Sequence, residues 1–364
     1  MSSEPIGPST DAVTEILSTA RVFALPMVNR FRGITVRDGI LLNGPTGWSE
    51  FAPFRNYDDA ACLPWLRSAI GSATTEWPAP VRDFIEVNTT VPVVAPQRAF
   101  ELVRASGCRT AKVKVADPGT DPASDADRLA AVREALGPEG RIRIDANAAW
   151  TVEQAIEWVP KLAAAAGGLE YVEQPCRQVA QLARVRDAVG VPVAADESIR
   201  LATDPLAVAR AGAADIAVIK VAPLGGVAAA LAIAAQVAAE FGMRIVVSSA
   251  VDSAVGLAAG LAAAGAIPEL PYACGLGTGS LLAEDVVTDR PLPVDGRLPV
   301  PRSAPDPERL ASVTADEDTT EYWLARLSRV AELLVDGAGG MPTRAAPAGT
   351  AAPAGPAAPA DCEA

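Results

Sequence analysis

From about Ile85 onward, short runs rich in β-branched and small apolar residues alternate with longer amphipathic or alanine-rich stretches. The short runs are "FIEVNTTVP", "TAKVKV", "RIRIDAN", "LEYVEQP", "VPVAADES", "DIAVIKV", "RIVVSSA" and a weaker "LPYACGL"; between them lie segments such as "DADRLAAVREAL", "TVEQAIEWVPKLAAAA" and "GVAAALAIAAQVAAEFG". Apolar runs bounded by turn residues suit strands buried on both faces, and their alternation with helix-length segments predicts βαβ units. Eight strands in this rhythm describe a (β/α) barrel of the α/β class. An open doubly wound sheet is the alternative, but it usually has fewer strands, and no G-x-G-x-x-G follows the first one.

The flanks are patterned differently. "VRDGILLNGPTGWSEFAPF" reads as a hairpin around a Gly/Pro turn and "DDAACLPWLRSAIGSA" as a helix, which predicts a small α+β cap ahead of the barrel. After the eighth strand, "DVVTDRPLPVDGRLPVP" reads as Pro-rich connection, and "TTEYWLARLSRVAELL" as an amphipathic helix packing back on barrel or cap. Beyond Gly337 the chain is a low-complexity Ala/Pro/Gly tail with little to bury. The expected division is therefore 1–84 cap, 85–300 barrel, 301–336 connection and helix, and 337–364 disordered tail.

Five charged residues interrupt this apolar pattern at the ends of strands: Lys114, Asp145, Glu173, Asp196 and Lys220. An ionised side chain on a buried strand is costly unless it is paired or binds a metal. Each has a plain structural explanation. The K-x-K of Lys112 and Lys114 suits an exposed strand end, Asp145 and Asp196 suit helix caps, and Glu173 suits a strand terminated by Gln174-Pro175. Strand alternation also puts Lys112 with Lys114 on one face, and Asn147 with Asp145, with Arg143 a layer deeper. Active sites of such barrels lie at the strand C-termini, and the three acids close three successive strands. Taken together, they form an oxygen-rich set suited to Mg2+ or Mn2+, flanked by a lysine one strand before and one strand after. Burial, a neighbouring cation and the metal all favour a neutral amine, so a lysine can serve as a base.

Composition narrows the chemistry. The chain has 364 residues, none of them histidine, which removes Ser-His-Asp and Cys-His catalysis and H-E-x-x-H zinc sites. With 31 basic against 44 acidic residues and a net charge of -13, nucleic acid and anionic membrane are poor partners and a small molecule the better one. Five scattered cysteines without C-x-x-C spacing suggest packed, reduced thiols. The N-terminus lacks a leader pattern and no run reaches about 18 uninterrupted apolar residues, so a cytoplasmic location is expected. Oligomeric state is left open.

The ordered set K-x-K, D-x-N, E-Q-P, D-E-S and K resembles the enolase superfamily, in its subgroup with a lysine on each side of the metal, over Met27 to Leu334. The resemblance implies a modified TIM barrel with an N-terminal α+β cap. Absence of histidine excludes the branch whose opposing base is a histidine. "NRFRGITVR", "GWSEFAPF", "SSAVDSAVGLAAG" and "ACGLGTGSLL" are most similar to o-succinylbenzoate synthases of actinobacterial type. That resemblance implies syn dehydration of 2-succinyl-6-hydroxy-2,4-cyclohexadiene-1-carboxylate (SHCHC) to 2-succinylbenzoate in menaquinone biosynthesis, through an enediolate. It also implies metal on Asp145, Glu173 and Asp196, Lys114 as base and then acid, and Lys220 as the opposing cation. The succinyl carboxylate would lie near Ser248, Ser249 and Gly275, with Arg30 and Arg32 of the cap loop steering it; a tight turn is an equal explanation for the glycines. N-acylamino acid racemase, dipeptide epimerase and muconate cycloisomerase are the alternatives, though epimerases commonly carry D-x-D where this chain has "GLGTG". A non-catalytic barrel would not need all five charges.

Overall fold

The structure, a computed structural model, describes residues 10–31 and 33–339. Its strands are β1 (Arg21–Phe31), β2 (Ile34–Gly44), β3 (Gly47–Phe51), β4 (Phe84–Glu86), β5 (Thr89–Val91), β6 (Thr110–Lys114), β7 (Arg141–Asp145), β8 (Val172–Glu173), β9 (Val193–Ala195), β10 (Ile216–Lys220), β11 (Arg244–Ser248) and β12 (Arg297–Pro299). Its α-helices are α1 (Thr10–Ser18), α2 (Asp59–Thr74), α3 (Pro96–Ser106), α4 (Pro122–Leu136), α5 (Val152–Ala165), α6 (Val179–Ala188), α7 (Glu197–Arg200), α8 (Ala207–Arg210), α9 (Val227–Phe241), α10 (Ala254–Ala266), α11 (Pro307–Ser312) and α12 (Glu317–Gly339).

Strands β5 to β11 form one parallel sheet in sequence order. The eighth position is held by single bridges, Ser248 to Gly275 and Val87 to Cys274, which join the last strand back to the first. This is the curled (β/α) barrel anticipated from the alternation, with "LPYACGL" as weak in the ladder as its pattern suggested. Along each strand, alternate residues turn inward: Ile216, Val218 and Lys220 from β10, Tyr171 and Glu173 around β8, Ala194 and Asp196 around β9. At the lower end this interior is apolar, where Tyr171, Ala194, Ile216, Val218 and Val246 pack together. Helix boundaries follow ordinary capping. Asp58 accepts from Ala61 N at 2.8 Å, Thr151 and Gln154 form a capping box, and Gly107 and Gly242 end α3 and α9 at positive φ.

The cap is the antiparallel sheet β1-β2-β3, and its hairpin turn falls where the Gly/Pro signal put it. One apolar cluster joins this sheet to α2 and α12 through Phe51, Trp65, Leu66, Trp323 and Val330. Another packs Phe23, Leu25 and Leu41 against Val251, Val255, Leu281 and Leu282 of the barrel mouth. Three elements depart from the sequence reading. Of the segment read as cap loop, Asn29 to Phe31 end β1 and Ile34 to Arg37 begin β2. "FIEVNTTVP" splits into β4 and β5 because Phe84 to Glu86 pairs with β12, inside the segment read as Pro-rich connection. Finally, α12 continues past residue 337 to Gly339. Arg32 and the tail from residue 340 lie outside the described residues. Cys62, Cys108, Cys176 and Cys274 are buried free thiols. Among the described residues no helix is long and apolar enough to cross a membrane.

Candidate active site

Register brings the strand-end charges together. Lys114 pairs with Asp145 across β6 and β7, and Asp145 with Glu173 across β7 and β8; Asp196 follows β9, and Lys220 ends β10. The three acids are each at most 1 % exposed. Lys112 Nζ lies 3.0 and 3.2 Å from the two Glu173 oxygens and 3.3 Å from Asp145. Lys114 donates to Asp145 and, at 2.8 Å, to Asn147 Oδ1. On the far side Lys220 Nζ reaches Asp196 Oδ2 at 2.7 Å, and Arg200 Nε holds Oδ1 at 2.9 Å. Ammonium groups thus span the carboxylates. Among the described residues no group of three acidic, histidine or cysteine side chains is closed into a metal-holding arrangement.

The electrostatics follow from these contacts. Burial opposes the charge of Asp145 and Asp196, yet Lys114 and Lys112 hold the first, and Arg200 and Lys220 the second, well below the usual carboxylate range. Glu173 is pushed up to about 7 by burial and by the Asp145 charge. Burial costs Lys112 as well, but Glu173 and Asp145 outweigh it and raise its affinity for a proton. Lys114 goes the other way: burial, abetted by Lys112, lowers it despite Asp145. Arg143, a layer deeper as its alternation requires, is completely buried and bonded to Glu170 at 2.5 Å and Tyr171 Oη at 2.8 Å.

A cavity opens above the charges. Lys112, Lys114, Asn147, Lys220, Ser248, Ser249 and Gly275 all line it. Ser249 Oγ pairs with Thr278 Oγ1 at 2.7 Å. The N–H groups of Ser249 and Gly275 donate to Gly275 O and Val247 O, closing the barrel, so neither is free to bind an anion. A Cβ on Gly275 would meet Ser248 Oγ at 2.4 Å, so the close approach requires glycine. Arg30 is exposed at the end of β1, and its neighbour Phe31 faces the cavity with Lys114 Nζ 5.3 Å from its ring centre. Phe31, Phe54, Thr90 and Thr278 also line it, none of them singled out as a site residue from the sequence, although Phe31, Phe54 and Thr278 lie within the quoted motifs "NRFRGITVR", "GWSEFAPF" and "ACGLGTGSLL".

Backbone strain gathers at this rim. Ala116, Asn147, Ala148, Gln174 and Val251 have positive φ just beyond β6, β7, β8 and β11. Gln174, at φ 39°, accepts from Asp196 N at 2.9 Å and Ser198 N at 3.1 Å, while its amide donates to Ser198 Oγ at 2.7 Å and Cys176 O at 2.9 Å.

A curled parallel barrel with an α+β cap and acids on successive strand ends defines the enolase superfamily, and the chain belongs to it. Profiles described as Enolase C-terminal domain-like and Enolase N-terminal domain-like match residues 95–305 and 22–73. Within it the chain belongs to the o-succinylbenzoate synthase family. It is 54 % identical to the o-succinylbenzoate synthase of Thermobifida fusca over 85 % of this chain and 95 % of that one. It is 52 % identical to that of Mycolicibacterium smegmatis over 87 % and 96 %. Solved structures of similar fold include a muconate lactonizing enzyme from Pseudomonas fluorescens complexed with muconolactone, at TM-score 0.71, 21 % identity and coverage of 81 % and 98 %. Another is the L-Ala-D/L-Glu epimerase from Bacillus subtilis, at TM-score 0.67, 22 % identity and coverage of 79 % and 96 %.

Proposed function

We propose that this chain catalyses the reaction for which its sequence relatives are named, as the syn dehydration of SHCHC to 2-succinylbenzoate, with the work divided between residues 85–300 as barrel and 1–84 as cap. Members of the superfamily generally use a divalent metal, and three buried carboxylates from successive strands, without thiol or imidazole, fit a hard cation such as Mg2+. Asp145, Glu173 and Asp196 would hold it, releasing the ammonium groups that now lie against them. When bound, it supplies positive charge to the substrate's ring carboxylate.

The observation that carries this reading is the lysine pair set on opposite sides of the acids, Lys114 against Asp145 and Asn147, Lys220 against Asp196. Lys114 Nζ, lowered by burial, removes the proton α to the carboxylate. The same ammonium then returns that proton to the departing hydroxyl, so C–H and C–O bonds break on one face, water leaves, and the ring becomes aromatic. Asn147 orients Lys114, and Lys112 adds a fixed positive charge that favours its neutral form. Lys220, on the opposite side of the acids, offsets as a cation the negative charge left by proton removal. Ser248, Ser249 and Gly275 border the space for the succinyl arm, with Arg30 on the approach to it. Assay with SHCHC and divalent cation is the direct test. Lys114→Ala should keep its fold and lose about a thousandfold or more in turnover; unchanged turnover would refute Lys114 as the base.

A further inference from the structure

One buried guanidinium joins the barrel mouth to the cap. Arg200 is 5 % exposed, and every edge of its fork is occupied. Nε donates to Asp196 Oδ1 at 2.9 Å, Nη2 to Glu197 Oε1 at 2.6 Å, and Nη1 to the hydroxyl of Tyr57 at 2.5 Å. The other Asp196 oxygen, Oδ2, takes Lys220 at 2.7 Å. Arg200 therefore occupies one oxygen of this carboxylate and leaves the second to the barrel interior. Glu197 Oε1 also accepts from Asn147 at 3.3 Å, and Asn147 Oδ1 accepts from Lys114 at 2.8 Å, so the guanidinium is linked by side chains to both lysines.

Its third contact leaves the barrel. Tyr57 belongs to the cap segment between β3 and α2, and its ring lies 5.9 Å from Phe54 and 6.4 Å from Trp65. Phe54 is part of the cavity wall. One guanidinium thus reaches both a carboxylate at the end of β9 and a hydroxyl in the cap, and an ammonium lacks the planar fork that does so.

We propose that Arg200 is a positioning residue with two duties: it presents one Asp196 oxygen to the cation site, and through Tyr57 it seats the cap segment that carries Phe54 over the substrate. This rests on the reading of Asp196 as a metal ligand given above. The test titrates Mn2+ into the full-length protein without substrate, following the free ion by electron paramagnetic resonance, for the parent, Arg200→Lys and Tyr57→Phe. The same proteins are then assayed for kcat and KM with SHCHC. Arg200→Lys should weaken Mn2+ binding about tenfold to a hundredfold and lower kcat. Tyr57→Phe keeps the Asp196 contact, so it should bind Mn2+ like the parent and raise KM several-fold at nearly unchanged kcat. Parental Mn2+ binding by Arg200→Lys overturns the first duty, and parental KM in Tyr57→Phe overturns the second. Should Arg200→Lys fail to fold, Arg200→Gln takes its place in the Mn2+ titration, with parental binding again overturning the first duty, while the KM-against-kcat split of Tyr57→Phe decides the second. A parent that binds no Mn2+ would refute the metal-site reading itself, an outcome distinct from a parent and Arg200→Lys that bind alike.

Discussion

The barrel mouth and the seam between cap and barrel bury carboxylates equally well, yet the aspartates of the mouth and the acids of the seam are treated in opposite ways. At the mouth, Asp145 and Asp196 face ammonium and guanidinium groups and are held far below the usual range. At the seam, Glu50 of β3 and Asp252 of the loop after β11 have Arg37 as their neighbouring cation. Its guanidinium donates to the carbonyls of Val251, Asp38 and Ala52 and to neither acid. Glu50 accepts from Ser253 alone among named donors, through its backbone N–H at 3.0 Å and its side chain, and Asp252 Oδ1 has no partner among the described residues. Burial, then the charge of Asp252, pushes Glu50 up to about 8, and burial raises Asp252 too. Depth alone does not decide whether a carboxyl is charged; the balance of neighbouring charges does, and Glu173 shows it at the mouth itself, raised by burial and the Asp145 charge although Lys112 donates to both its oxygens.

The contrast can be broken from either side. The largest effect is expected from Asp196→Asn, which on the proposed reading removes a metal ligand and should cost about a thousandfold or more in kcat/KM, several kcal/mol of barrier, together with loss of Mn2+ binding. Next comes Lys112→Met. It takes away the cation shared by Glu173 and Asp145 and should destabilise the metal-free protein by about 3 to 5 kcal/mol in denaturant melts, part of it regained when Mg2+ is added. At the seam, a Cβ on Gly256 would meet the Glu50 carboxyl at 2.7 Å and Asp252 Cβ at 2.9 Å. Gly256→Ala should therefore cost about 1 to 3 kcal/mol by wedging the cap from the barrel.

The smallest effect depends on pH. Glu50 binds its proton more tightly folded than unfolded, so the stability it confers is complete below the ordinary carboxyl range, near 4.5, and is lost as pH rises toward 8. Glu50→Gln should match the parent near pH 5 and exceed it at pH 8, the curves separating by at most about 1.4 kcal/mol per pH unit. Parallel stability curves across that range would mean that Glu50 is ionised, and that Arg37 or water serves it after all.

Much of this was legible in the chain because period-two alternation and strand ends are local properties. Lys114, Asp145, Glu173, Asp196 and Lys220 each break a buried run at its last residue, and parallel register then places them side by side. Arg143 was readable as deeper than Asp145 for the same reason. The cap was harder. β1 carries Pro26 and polar Asn29 and Arg30 near its end, and its bulge relative to β2 blurs the alternation. β4 and β12 are three residues each and gain meaning only by pairing across more than two hundred residues. Arg200 and Tyr57 left no sequence signal, since an arginine in a short helix and a tyrosine in a loop are ordinary until the fold brings them into contact. Thr278 and Phe54 lay within quoted motifs, but nothing in those motifs marked them as wall residues.

Gln174 has a consequence beyond its place on the rim. β8 is two residues long and β9 three, so the main-chain ladder gives out before the catalytic end of the sheet. The carboxamide of Gln174 takes over as a surrogate peptide unit, its oxygen receiving the N–H groups of Asp196 and Ser198 and its nitrogen returning bonds to Ser198 and Cys176. Because it is a side chain, this extra rung can be edited one atom at a time. Exchange of the amide for a carboxylate would keep the two acceptor contacts and delete both donors, detuning the bearing of Asp196 while leaving every strand in register.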